Sequence, residues 1–197
     1  MAEAVHEIAH ESTHHAAHTG SGGAKLIGLL ISVLALFLAV SEMLGKSAQT
    51  HGLALNIETS DTWNFFQAKT IRQTVVRTAL ENSRIEQPGD KDALAKQMTA
   101  WQATIDRWES EPSTNEGRKE LAAKAKRLER ERDEYFGQYH AYELSSLVLQ
   151  LGIVLASVAL LSSVMAFAIG SAALGGLGIV LLAGTYFHVH AITALLH

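Results

Sequence analysis

The chain contains no cysteine, which excludes disulfides, thiol catalysis and thiolate metal sites. Proline occurs only twice, at Pro88 and Pro112, so little interrupts a helix. Charge of one sign is also scarce: the net charge is -4, and no basic stripe argues for nucleic acid. No phosphate-cradling loop, nucleophile elbow or H-E-x-x-H pattern is present. What the chain does have is three long apolar runs, at 26–44, 144–169 and 172–196. A bilayer core is about 30 Å thick and a helix rises about 1.5 Å per residue, so roughly 20 apolar residues cross it. Each run qualifies as a membrane-spanning helix, because lipid offers no partner to an unpaired backbone group.

The expected organisation follows from these runs. Residues 1–24 are a His- and Glu-rich polar leader, ending in a flexible Gly-Ser joint at 20–23. Residues 25–44 form the first span, and its length and acidic approach argue against a cleaved signal peptide. A soluble helical insert occupies 45–143. The second span covers 144–169, and the third span with a short end covers 172–196. The fold class is all-α, with three transmembrane helices and a coiled-coil-like insert between spans one and two.

Two breakers punctuate the insert, at 87–90 and 111–117, each holding a proline and a glycine. Between them three stripes alternate steps of four and three residues. The first is Ile57, Asp61, Asn64, Ala68, Ile71, Val75, Thr78, Asn82 and Ile85. The second is Leu94, Met98, Trp101, Ile105 and Trp108. The third is Leu121, Ala125, Leu128, Arg132, Tyr135, Tyr139 and Tyr142. This spacing lays a narrow face against a partner helix. The expectation is that the stripes pack on one another within a chain, with pairing between chains as the alternative. The helix starting near Gly117 should run without a break into the second span.

Lys46, Lys124, Lys126, Arg127, Arg130 and Arg132 flank the insert side of the spans, against Lys25 alone on the other. The positive-inside rule then places the insert in the cytoplasm and the leader outside.

Few side chains suggest chemistry. His6, His10, His14 and His18 recur every four residues, alongside Glu3, Glu7 and Glu11. On a helix such residues share a face and can chelate a divalent transition metal. A free tail has nothing to orient those ligands, so any such binding is expected to be weak, and no other cofactor is expected. His188 and His190 differ by two positions and cannot share an ion on a regular helix; with Tyr186 they read as an interfacial belt. Glu42, near the end of its span, reads as a snorkelling carboxylate, with Gln150 the one obvious polar companion. Small residues four apart, Gly28 and Ser32, Gly152 and Ala156, Ala172 and Gly176, point to close helix packing. Gly175 and Gly176 are the expected points of contact with a second copy.

Residues 60–72 read SDTWNFFQAKTIR. This resembles the signature D-x-W-x-[FY]-[FY]-Q-A-K-x-[IL]-[RK] of a bacterial family of small inner-membrane proteins, still classed as a domain of unknown function. The likeness extends to the His/Glu-rich leader, the central helical region and the acidic-aromatic stretch 135–143. The resemblance implies a bacterial inner-membrane, multi-pass location and the three-span layout. It implies no activity and no catalytic residues. Trp63, Phe65 and Phe66 are expected to pack on Tyr135, Tyr139 and Tyr142 or, like Trp101 and Trp108, to serve an interaction surface.

The functional expectation is a non-enzymatic scaffold or accessory subunit. Its partners would be membrane lipid and further copies of itself or other membrane proteins. A metal-handling or metal-sensing protein using the leader is the alternative, and a small oligomeric channel or transporter a second one.

Overall fold

The computed structural model describes residues 7, 8, 11, 22–85 and 90–195, with side chains described up to His188. Among these residues there are four long helices and no strand: α1 (Gly22–Ile85), α2 (Lys91–Glu109), α3 (Arg118–Ser162) and α4 (Met165–Leu195). Three of them, α1, α3 and α4 over Met165–His188, are long and apolar enough to cross a membrane. The chain divides into two units. One comprises residues up to His51 and from Glu134 onward; the other is Gly52–Asp133.

The first unit is built on an apolar cluster of Ile31, Leu34 and Leu38 from α1 with Leu149, Ile153 and Ala156 from α3. Helix α4 joins it through glycines. A Cβ at Gly175 would overlap Leu34, and one at Gly178 would lie 2.7 Å from Leu149 Cγ. Three fully buried serines then stitch helix to helix. Ser41 Oγ donates to the Tyr142 carbonyl at 3.0 Å, Ser145 Oγ to the Gly178 carbonyl at 2.8 Å, and Ser171 Oγ to the Gly152 carbonyl at 2.7 Å. In apolar surroundings such bonds replace the hydrophobic force as interhelical glue. Helix α1 continues without interruption through Gly45, where a Cβ would sit 3.3 Å from Tyr142 Cβ, so the glycine serves close approach.

The second and third apolar helices meet earlier than their apolar runs indicate. The break is at Ser163–Val164, with Ser163 in a left-handed conformation (φ 58°) and the Val164 N–H donating to Ser162 Oγ at 3.4 Å. Residues 165–169 therefore begin α4; they do not end α3. The pair Gly170–Ser171, which reads as a turn, lies inside α4, where Ser171 is buried against α3. Small residues there mark packing.

In the second unit, α2 begins on Asp90, whose Oδ1 accepts from the Asp92 and Ala93 N–H groups at 3.1 and 3.0 Å. This is an N-cap that satisfies donors the helix cannot. Breaker 87–90 is described only at Asp90. Leu80, Ile105, Leu121, Ala125 and Leu128 are buried. The second stripe faces inward, with Ile105 buried and Leu94, Met98, Trp101 and Trp108 half-buried. Of the third stripe's members in this unit, the three apolar ones are buried and Arg132 is half-buried. In the first unit that stripe continues with Tyr135 and Tyr139 half-buried and Tyr142 buried.

The first stripe is different. Ile57, Ile71, Val75 and Ile85 are 64%, 65%, 63% and 81% exposed. The inward face of α1 in this unit is Thr59, Thr62, Phe66, Lys69, Gln73, Val76 and Leu80, at the same alternating spacing. On this face Lys69 and Gln73 find partners from outside α1, Thr62 bonds back to the Glu58 carbonyl of its own helix, the Thr59 hydroxyl is buried without one, and the apolar stripe is left outside.

Candidate functional site

The polar inward face of α1 leads to a charged cluster where the 110–117 connection joins α2 to α3. The connection is shaped by its own residues. Asn115 adopts φ 56°, and Gly117 is pressed so closely that a Cβ would overlap the backbone of Ser110 and Glu111. Glu120, in the first turn of α3, reaches back to accept from Ser110 Oγ at 2.6 Å and from the Glu111 N–H at 3.2 Å. The hydrogen bond from Ser110 is the main reason its carboxyl is held below the usual glutamate range.

Two cations enter this cluster. Lys69 is only 6% exposed. Its ammonium donates to the Glu116 carbonyl, lies 3.6 Å from the Glu116 carboxylate and 4.0 Å from that of Glu111, and sits 5.1 Å above the Phe65 ring. Arg118, at the start of α3, uses its planar fork on two other helices. Nε donates to Thr70 Oγ1 at 2.9 Å on α1. Nη1 donates to Gln73 Oε1 at 2.6 Å, also on α1, and to Glu109 Oε2 at 2.7 Å on α2. The guanidinium also lies 5.2 Å from the Phe66 ring centre. Gln73 closes the circuit, its amide donating to the Ile105 carbonyl at 3.1 Å and to Glu109 Oε2 at 3.2 Å. Glu109 is held below its usual pKa, first by the Gln73 hydrogen bond and then by the charge of Arg118, with burial opposing both.

A buried charge is tolerated only when paired and hydrogen-bonded, and these are. Such a network fixes which side chains meet, and so fixes the register of three helices. Trp63 extends it, donating from Nε1 to Glu129 Oε1 at 2.9 Å and packing edge-on against Phe66 at 5.4 Å. Within this unit Trp63 and Phe66 meet Glu129 and Arg118; within the first unit Tyr135 stacks on His51 at 5.4 Å and Tyr142 lies against Gly45.

The segment 60–72 thus has two faces. Thr62, Trp63, Phe66, Lys69 and Thr70 turn inward, while Asp61, Asn64, Gln67, Ile71 and Arg72 are exposed. A family model described as a domain of unknown function, DUF4337, matches residues 23–188. The chain belongs to the DUF4337 family. The family match spans all of α1 from residue 23, all of α2 and α3, and most of α4, so the charged cluster lies wholly inside it. No curated protein and no solved structure matched the chain.

The other residues singled out in the sequence fall in different places. His6, His10, His14 and His18 lie outside the described residues, and before the DUF4337 match begins. Gly175 packs against Leu34 within the chain, whereas a Cβ at Gly176 would meet open space. Trp101 and Trp108 are half-buried on the inner side of α2. Glu42 and Gln150 do meet, Gln150 Nε2 donating to Glu42 Oε1 at 3.3 Å. Gln73, Glu109 and Arg118 carry no sequence signal, because a Gln, a Glu and an Arg on helices read as solvated surface until their helices come together.

Proposed function

We propose that this DUF4337 protein is a non-enzymatic scaffold of the bacterial inner membrane that associates with copies of itself. In this reading α1, α3 and α4 span the bilayer, and 45–143 is a cytoplasmic helical insert. The observation that carries the reading is the exposed stripe of α1, with Ile57, Ile71, Val75 and Ile85 at coiled-coil spacing. A seam that repeats every 3.5 residues suits another helix, since only a supercoiled partner stays in contact with it. Copies held in one membrane present this helix in the same direction. Ile71, Val75 and Ile85 then each face their own counterpart. Asn64 and Asn82 pair amide to amide, which favours register at some cost in stability. The charged cluster supports the same reading, because a helix held in fixed register by Lys69 and Arg118 presents a fixed outer face.

Purification in mild detergent with mass measurement tests this. The expected result is a discrete multiple of the 21.3 kDa chain. A strictly monomeric protein with no copurifying partner overturns it. Reporter fusions at residues 20 and 197 should report opposite compartments; the same compartment for both overturns the three-span layout.

A further inference from the structure

At the level where the apolar runs of α1 and α3 end, the two helices leave a crevice of about 390 Å³. Glu42, Lys46 and Gln49 line it from α1, and Tyr139, Glu143 and Gln150 from α3. We propose that this crevice binds a phosphorylated primary amine, supplied as the headgroup of an ethanolamine phospholipid. The proposal rests on the membrane reading above, which puts the crevice at headgroup depth. Glu42 lies two residues before the end of run 26–44, and Glu143 immediately precedes run 144–169.

The chemistry is that of a zwitterion. Glu42 and Glu143 supply carboxylate acceptors, and both are oriented. Gln150 Nε2 donates to Glu42 Oε1 at 3.3 Å, and Tyr139 Oη donates to Glu143 Oε1 at 3.3 Å. A primary ammonium has three N–H donors to share between them; a trimethylammonium has none. Lys46, one turn beyond Glu42, has no carboxylate within ion-pairing distance among the described residues. It is placed to meet a phosphate. A carboxylate at the edge of a bilayer is costly when unpaired, and a ligand ammonium removes that cost from Glu42. The apolar wall is Leu147, which is exposed where an acyl chain would run. The surplus of carboxylate over ammonium disfavours a headgroup that is anionic overall.

Native mass spectrometry of the full chain in detergent, incubated with lipids of identical acyl chains, tests the site. Phosphatidylethanolamine should be retained about tenfold over phosphatidylcholine and phosphatidylglycerol, the scale of one to two charge-assisted hydrogen bonds. Glu42→Gln with Glu143→Gln should abolish that preference, and Lys46→Met should weaken retention of all three lipids, with helicity unchanged in each variant. Equal retention of the ethanolamine and choline lipids, or a preference that survives the double variant, overturns the proposal. Displacement of the lipid by an equal concentration of soluble glycerophosphoethanolamine overturns the lipid source in favour of a free phosphoamine. Failure of the chain to fractionate with membranes overturns the membrane reading separately, since lipid retention is measured in detergent.

Discussion

Arg118 Nη1 lies 2.7 Å from Glu109 Oε2 and 2.6 Å from Gln73 Oε1, so one nitrogen ties α3 to both α2 and α1. Removing it leaves the Gln73 amide oxygen without its donor and the Glu109 carboxylate with only the Gln73 amide. Arg118→Ala should cost about 2–3 kcal/mol, the penalty for hydrogen bonds to a charged group lost in a partly buried setting. Arg118→Lys should recover little, because an ammonium cannot reproduce a planar fork with Nε on Thr70. Chemical denaturation of the full chain in detergent, followed by helicity, measures both. Equal stability of wild type and Arg118→Ala would mean the cluster does not hold the helices.

Acid should weaken the same connection. Glu109 and Glu120 are both held below their usual pKa when folded. A depressed folded pKa contributes stability that is fully present above the unfolded value and is lost as pH falls through the folded value. Stability should therefore decline only below the ordinary glutamate range. Gln73→Leu removes the largest cause of the Glu109 shift, and should make the acid limb of a stability–pH curve shallower. An unchanged acid limb would assign the acid sensitivity elsewhere.

Glycine substitutions should separate inner from outer packing. Gly178→Ala drives a methyl into Leu149, and Gly117→Ala drives one into the 110–117 backbone. Each should cost about 1–3 kcal/mol, the range for overpacking. Gly176→Ala meets open space and should be neutral or stabilising by up to about 1 kcal/mol from helix propensity. Thermal unfolding of the three variants in one detergent checks the order. Gly176→Leu, tested on the oligomer, separates that glycine's role in association from any role in the fold.

Asp61 stands on the exposed seam of α1 and would face its own copy in a parallel pair. Like charges opposed across a helix pair destabilise it. Asp61→Ile should tighten self-association about tenfold, whereas Val75→Asp should loosen it by a similar factor. Concentration-dependent mass measurement reads both changes. Opposite or absent effects would place the contact on another face.

The three apolar helices and the second and third stripes were legible because membranes and helix cores select apolar residues at fixed periods. Leu121, Ala125 and Leu128 are buried as that logic requires. The first stripe misled for a physical reason. Two stripes share the same period on α1, and the chain buries the more polar one: the 110–117 connection brings Glu111 and Glu116 to Lys69, while α2 and α3 bring the Ile105 carbonyl, Glu109 and Arg118 to Gln73. A period reports that a face has a partner, not which partner. The α3–α4 turn was hidden likewise. Ser162 and Ser163 are ordinary inside an apolar run, and only the left-handed conformation of Ser163 makes them a turn. The motif at 60–72 marked the right segment for the charged cluster, while Arg118 and Glu109 could be matched to it only through three-dimensional contact.

Copies of this DUF4337 protein are proposed to meet along the exposed seam of α1. The absence of native cysteine makes a direct measurement clean. Single substitutions Ile71→Cys and Val75→Cys place a thiol on the seam, and Arg77→Cys and Arg84→Cys place one at exposed positions off it. Each variant is oxidised in isolated membranes with copper phenanthroline and resolved without reductant. Disulfide-linked dimers at residues 71 and 75, with little at 77 and 84, are the predicted result. Equal cross-linking at all four positions, or none at the seam, would contradict the account.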